Sequence, residues 1–158
     1  IIRLESVGCV VKSLESATGY PATLDEMRLR ASQIGELVVD AKLIGVDARS
    51  GFGRKILRQL DRKMVDRFIQ EVSAHNTPLG RAMNAHNFDR VTLTYEQIEK
   101  ALEDGSLLLL SFTLHGRQSH MAHLKKIDGN LVAPSDADGE IVCLYPNQAY
   151  EGILITPK

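Results

Sequence analysis

The pattern of apolar residues changes about two thirds of the way along the chain, and this change constrains the fold more than any other feature. Before Gly105, apolar residues recur at helical spacing, most clearly in the segment RKILRQLDRKMVDRFIQEVSAH. After it, short apolar runs such as LLLLSFTLHG alternate with turns rich in Gly, Asp, Asn and Pro. This segregation predicts an α+β fold in which N-terminal helices pack on a C-terminal antiparallel sheet.

Capping signals predict where several helices begin. Thr23 is followed three residues later by Glu26, and Thr94 is followed by Gln97, which is the spacing of a capping box. A short helix is expected over 9–19. The segment ELVVDAKLIGVDARSG permits a helix to about Leu43, then a turn and a short strand. The segment NTPLGRAMNAHNFDR is either a polar connection or a short helix.

The composition fits one globular domain of 158 residues, 44% apolar and 25% charged. The net charge is −1 and both signs are spread along the chain, which argues against a nucleic-acid or anionic-membrane partner. No apolar run approaches the roughly 20 residues of a membrane span. The two cysteines and five histidines lack zinc-ligand spacing, so we expect no metal and no cofactor.

One predicted helix carries a strongly basic face. Its basic residues are Arg54, Lys55, Arg58, Arg62, Lys63 and Arg67. Such a pattern is typical of a solvated helix face, and the alternative is a docking surface for an acidic partner.

Cys9 is the candidate nucleophile of the chain. It follows Gly8 and opens the first predicted helix, and a helix N-terminus favours the thiolate form of a cysteine. Thiol catalysis also needs a histidine that exchanges protons with the sulfur, and a carboxylate or amide that holds the histidine. The alternative is that Cys9 is a small buried apolar residue.

His120 and Asp136 are the candidate partners of Cys9. They lie on two predicted strands that are joined by a turn centred on Asp128 and Gly129, and they stand within one residue of being directly opposite each other. Directly opposite side chains on antiparallel strands have Cβ atoms about 5 Å apart. The hairpin therefore predicts that the carboxylate lies beside the imidazole.

Other residues compete for these roles. His123 would face the opposite side of the strand from His120, and Asp138 lies in a predicted turn facing water. His115 precedes a turn and is a candidate rim residue. Cys143 alternates like a core strand residue and is expected to be packed. The two remaining histidines, His75 and His86, fall in the helical part and are expected at the surface.

The segments that hold these residues resemble a known family. LESVGCVVKSLESATGYPATLDEMR is similar to the opening of the bacteriocin-processing peptidase domains. Glu5 and Ser6 of this chain fit the spacing of the residues that precede the catalytic cysteine in that family. SHMAHLKKIDGNLVAPSDADG resembles their histidine strand and the strand ending in Asp, and EIVCLYPNQAYEGILI resembles their closing strands. These papain-like domains often precede ABC transporters and cleave leader peptides after a double glycine.

The resemblance implies a role for each candidate residue. Cys9 would be the nucleophile, His120 the base and Asp136 the group that orients the base. Where the family has a glutamine that completes the oxyanion hole, this chain has Arg3, and Val10 replaces the usual glycine after the cysteine. Loss of one oxyanion donor costs about 10²–10³ in turnover, although arginine also donates hydrogen bonds.

The sequence therefore leads to two functional hypotheses for a single papain-like domain over 1–158, with a helical insertion at 50–95. The first is a cysteine-dependent hydrolase or transferase acting on a peptide or protein amide, located in the cytoplasm or delivered into another cell as an effector. The second is a catalytically degenerate peptide-binding module associated with a transporter or secretion system. Arg3 in place of glutamine favours the second.

Overall fold

A computed structural model describes residues 7–47, 49–114, 118–133 and 143–158, and it confirms the α+β class. In chain order its elements are α1 (Val7–Thr18), α2 (Leu24–Leu43), α3 (Gly51–Ser73), α4 (Pro78–Asn84), β1 (His86–Thr94), α5 (Tyr95–Glu103), β2 (Leu107–Leu114), β3 (Gln118–Ile127), β4 (Asn130–Val132) and β5 (Ala149–Pro157).

The sheet is antiparallel, with strand order β1-β5-β2-β3-β4. The last strand, β5, lies between β1 and β2 and pairs with β1 along the full length of both. β1 comes from a region in which the sequence predicted only a connection or a short helix. The short helix exists as α4. The strand that follows it was missed because the alternation of its buried residues breaks at Asp89 and Arg90, which are both exposed.

Each face of the sheet has its own core. On one face, residues of α1, α3 and α4 pack on odd-numbered residues of β2, β3 and β5, among them Leu109, Met121 and Ile153. On the other face, Ile98 of α5 packs with even-numbered residues of the same three strands, including Leu108. The odd–even division follows from the two-residue period of a strand, and it determines which strand side chains can meet α1.

The capping boxes predicted at two helices are present. In α2, Thr23 accepts from the Glu26 amide and Glu26 accepts from the Thr23 amide, and Thr94 and Gln97 do the same in α5. α2 continues to Leu43 as expected. The short strand predicted after this helix is wrong, because the described residues 46–47 and 49–50 form a loop and the cap of α3.

The β3–β4 hairpin has the register that the sequence predicted. Ile127 pairs with Asn130 around the turn residues Asp128 and Gly129. Both turn residues have positive φ, 52° and 80°, which is the backbone of a type I′ turn and suits an Asp-Gly pair. This turn fixes the register of β4 against β3.

Segment 50–95 supplies α3, α4 and β1, and these elements belong to the described core. Val65, Phe68 and Val72 of α3 are fully buried beneath the α1 face of the sheet. That the segment is an insertion relative to a family stays a prediction. Within the described ranges, every helix is too short or too polar to cross a bilayer, so the expectation of no membrane-spanning helix is confirmed for them.

Candidate functional site

Cys9 lies in the first turn of α1, on the side that packs against the sheet. Its side chain is only 8% exposed and belongs to the same core as Val10 and Met121. A cysteine in this position is near the positive end of the helix dipole, and the surrounding apolar side chains hold its side chain in place.

Two polar contacts fix α1 along β3. The Ser13 hydroxyl donates to the Cys9 carbonyl oxygen at 2.6 Å and shares this proton with the Met121 carbonyl oxygen at 3.0 Å. Three helical positions further on, the Ser16 hydroxyl is hydrogen-bonded to Nδ1 of His123 at 2.7 Å. Ser13 and His123 are both buried, so these contacts are shielded from water.

These contacts place Cys9 level with His120. Ser13 comes before Ser16 on α1, and their partners follow in the same order on β3, Met121 before His123. The helix and the strand therefore run in the same direction. Cys9 lies one turn before Ser13, about 6 Å along the axis, which equals about two strand residues. The fold therefore brings the predicted nucleophile and the predicted base to one end of the α1–β3 packing.

The alternation of β3 assigns its two histidines to different sides. His123 and Met121 face α1, whereas Ala122 and Leu124 belong to the core under α5. His120 is half-buried and shares the alternation of Ala122. As the sequence predicted, the two histidines therefore lie on different sides of β3, and the alternation puts His120 on the side away from α1.

His123 is an unsuitable base for Cys9. Its ring lies beside Ser16, seven residues after Cys9, which is about 10 Å along the helix axis. Burial, with a smaller contribution from the positive charge of Lys125, lowers the pKa of His123 to about 4. His123 is thus neutral near pH 7 and serves to hold α1 on β3. Of the two histidines of β3, His120 is the one at the level of the cysteine.

The remaining predicted site residues have different outcomes. Arg3, Asp136, Asp138 and His115 lie outside the described residues, so their roles stay predictions. Cys143 does not have the buried strand position predicted for it. It is exposed, and 143–145 have no strand structure, because the apolar alternation of EIVCLYP is not matched by a pairing partner at Cys143 in the described sheet.

The two histidines of the helical part are more constrained than the expected surface residues. His75 Nδ1 is 2.9 Å from Oε2 of Glu26, and His86 Nδ1 donates to the Ala82 carbonyl oxygen at 2.7 Å. Both rings are half-buried. His75 joins the α3–α4 loop to α2, His86 joins the start of β1 to α4, and neither lies on α1 or β3.

Sequence reasoning missed the contribution of Ser13 and Ser16. They lie four and seven residues after Cys9, so they share its face of α1, and this spacing is visible in the sequence. What the spacing lacks is the identity of the partners, because the Met121 carbonyl and the His123 ring are more than 100 residues away along the chain.

A shallow cavity of about 250 Å³ lies elsewhere, between α3, β1 and β5. Its lining residues are Asp66, Ile69, Gln70, Phe88, Arg90 and Ile153. None of the predicted catalytic residues lines it. Within the described part of the chain, no cluster of three or more His, Cys, Asp or Glu side chains has the arrangement of a metal site.

Comparison with known proteins found no relative of this chain. No family model, no curated protein and no solved structure matches the chain. The resemblance to the bacteriocin-processing peptidase domains therefore stays an interpretation of the sequence.

Proposed function

We propose that the protein is a cysteine-dependent hydrolase or transferase that acts on a peptide or protein amide. One observation carries the proposal: Cys9 lies in the first turn of α1, and α1 is fixed on β3 so that Cys9 is level with His120. A thiol at a helix N-terminus near a histidine is one arrangement that supports thiol acyl transfer.

In the proposed reaction the Cys9 sulfur attacks the amide carbonyl, so that a carbon–sulfur bond forms and the carbon–nitrogen bond breaks. His120 takes the thiol proton and gives it to the leaving nitrogen, while Asp136 orients the imidazole. The Cys9 backbone amide and Arg3 stabilise the oxyanion. Water or an amine then releases the acyl group, so proteolysis, deamidation and transamidation share the first step.

The two cysteines of the chain allow an internal comparison. We expect iodoacetamide to modify Cys9 on the order of tenfold faster than Cys143 at pH 6, because the proposed mechanism gives the Cys9 sulfur a histidine that takes its proton. Peptide mass spectrometry of the native protein over pH 5–8 measures both rates in one sample. In urea the two cysteines should react at similar rates.

Variants assign the partner histidine. His120→Gln should remove the advantage of Cys9 at pH 6, whereas His86→Gln, on the far edge strand, should leave it unchanged. Cleavage of a Gly-Gly peptide with a coumarin amide leaving group should be lost in Cys9→Ala and kept in Cys143→Ala. Equal labelling of the two cysteines at every pH, or full cleavage by Cys9→Ala, would contradict the catalytic proposal.

A second candidate function is supported by two other observations. Cys9 is only 8% exposed, and strand alternation assigns His120 to the side of Ala122. Both suit a degenerate papain-like module that binds a peptide without cleaving it. In that case Cys9→Ala should bind a fluorescent Gly-Gly peptide with the same affinity as the wild type, and neither protein should turn it over.

A further inference from the structure

Exposed apolar side chains gather at one end of the α2–α3 helical hairpin. Of the nine large apolar side chains that are exposed in the described part of the chain, four lie there: Val39 (56% exposed), Leu43 (79%), Ile44 (61%) and Phe52 (75%). We call residues 39–47 and 49–58 the hairpin tip. Exposed large apolar residues grouped in this way mark an interaction surface more often than scattered ones do.

The hairpin tip lies outside the two cores that pack on the sheet. α2 packs on α1 and α3, and α3 joins the core beneath the sheet only from Val65 onward. Leu37, Ala41 and Leu57 are buried near the tip, yet they belong to neither core on the sheet. The two helices therefore bury these residues between themselves and leave Leu43 and its exposed neighbours facing outward.

Basic residues surround the apolar side chains. Lys42, Arg49, Arg54 and Lys55 are exposed and Arg58 is half-buried, whereas the acidic residues of the hairpin tip are Asp40 and Asp47. The hairpin tip is thus positively charged, although the whole chain carries a net charge of −1. The net charge of the whole chain argues against binding to an anionic membrane, but it does not reveal this local excess of positive charge.

We propose that the hairpin tip binds the surface of an anionic lipid bilayer, with Leu43, Ile44 and Phe52 entering the headgroup region. Apolar residues flanked by lysine and arginine are the combination that holds a peripheral element at such a surface. Four side chains present on the order of 400 Å² of apolar surface, about half of what each partner buries in a standard protein interface. The inference does not depend on Cys9 or on any catalytic activity.

Vesicle sedimentation tests the proposal. The chain should sediment with vesicles of phosphatidylcholine and phosphatidylserine and remain in the supernatant with phosphatidylcholine alone, and added salt should weaken the binding. Phe52→Asp with Leu43→Asp should lose binding at least about tenfold. Lys42→Glu and Lys55→Glu should each lower binding about fivefold or more, because a juxtamembrane charge contributes to attraction by anionic lipid.

The control is Leu24→Asp, which changes another exposed apolar residue (60% exposed) at the opposite end of α2. It should bind vesicles as the wild type does, and circular dichroism should show that every variant folds. Failure of the wild type to bind, equal binding to neutral vesicles, or equal loss in Leu24→Asp would each overturn the proposal. So would a wild-type dimer that Phe52→Asp converts to a monomer, because the surface would then belong to a second copy of the chain.

Discussion

At the scale of single residues, His123 is a buried group whose ionisation opposes folding. Its ring is 1% exposed and is held by Ser16, and burial is the main reason that its pKa falls to about 4. An unfolded histidine has a pKa near 6.5. Between these two values the unfolded chain binds a proton that the folded chain does not bind.

The first prediction concerns the pH dependence of stability. The free energy of unfolding should be highest above about pH 6.5 and should fall by roughly 3 kcal/mol as the pH approaches about 4. His123→Leu should flatten this part of the profile, because no imidazole remains to be charged. Urea unfolding at pH 7, 6 and 5 measures the slope, and His86→Gln is the control that should retain it.

A carboxylate affects stability in a separate pH range. Although burial opposes ionisation, hydrogen bonds from Thr23, His75 and Thr77 lower the pKa of Glu26 below its usual 4.5. The contribution of Glu26 is therefore present above about pH 4.5 and is lost as the pH falls through its folded pKa.

If His123→Leu left the slope between pH 5 and pH 6.5 unchanged, the assignment of this slope to His123 would be wrong.

At the scale of elements, buried polar contacts decide how the helices meet. Glu26 accepts hydrogen bonds from the start of α2 and from the α3–α4 loop, so one carboxylate joins these segments. Further along, Arg30 Nη2 of α2 is 2.9 Å from Oδ1 of Asp61 on α3, and both side chains are buried. Such pairs fix the angle and register of two helices, since any other register would leave a charge without its partner.

The second prediction concerns this ion pair. Arg30→Met and Asp61→Leu should each reduce the free energy of unfolding by about 3–5 kcal/mol, because each leaves one charge buried. The double variant should recover most of the loss, since well-packed apolar residues can replace a buried pair. Denaturant unfolding of the four proteins completes the cycle. Additive losses in the double variant would show that the two side chains are not coupled.

At the scale of the whole molecule, β5 connects the early part of the chain with the late part. It lies between β1 and β2, and its Gly152 is paired with Leu110 of β2 and with Val91 of β1. A Cβ atom at position 152 would be 2.6 Å from the Leu109 carbonyl oxygen, closer than real contacts allow. The strand order thus depends on a residue without a side chain at this point.

The third prediction compares two glycines. Gly152→Ala should reduce the free energy of unfolding by about 3 kcal/mol, because the backbone of a central strand must move. Gly35→Ala, in the middle of α2 with open space around its Cβ position, should instead increase it by about 0.5–1 kcal/mol. Thermal and urea unfolding compare the two variants. A stable Gly152→Ala protein would mean that β5 does not pack against β2 as described.

Local signals in the sequence determined most of the helical elements and one hairpin. Thr23 with Glu26, Thr94 with Gln97, and Asp128 with Gly129 each act within four residues, so their structures follow from the local chain. The sequence also determined the α+β class, because the change from helical spacing to short apolar runs does not depend on which strands pair.

Only the tertiary structure decided which distant residues meet. β1 is a strand because β5 returns to pair with it, and Cys143 is exposed although its segment alternates like a core strand. The level of Cys9 relative to His120 is set by Ser13 and Ser16 touching β3. The physical reason is the same in each case: these contacts join residues far apart in the chain, and their energy depends on packing that no local pattern encodes.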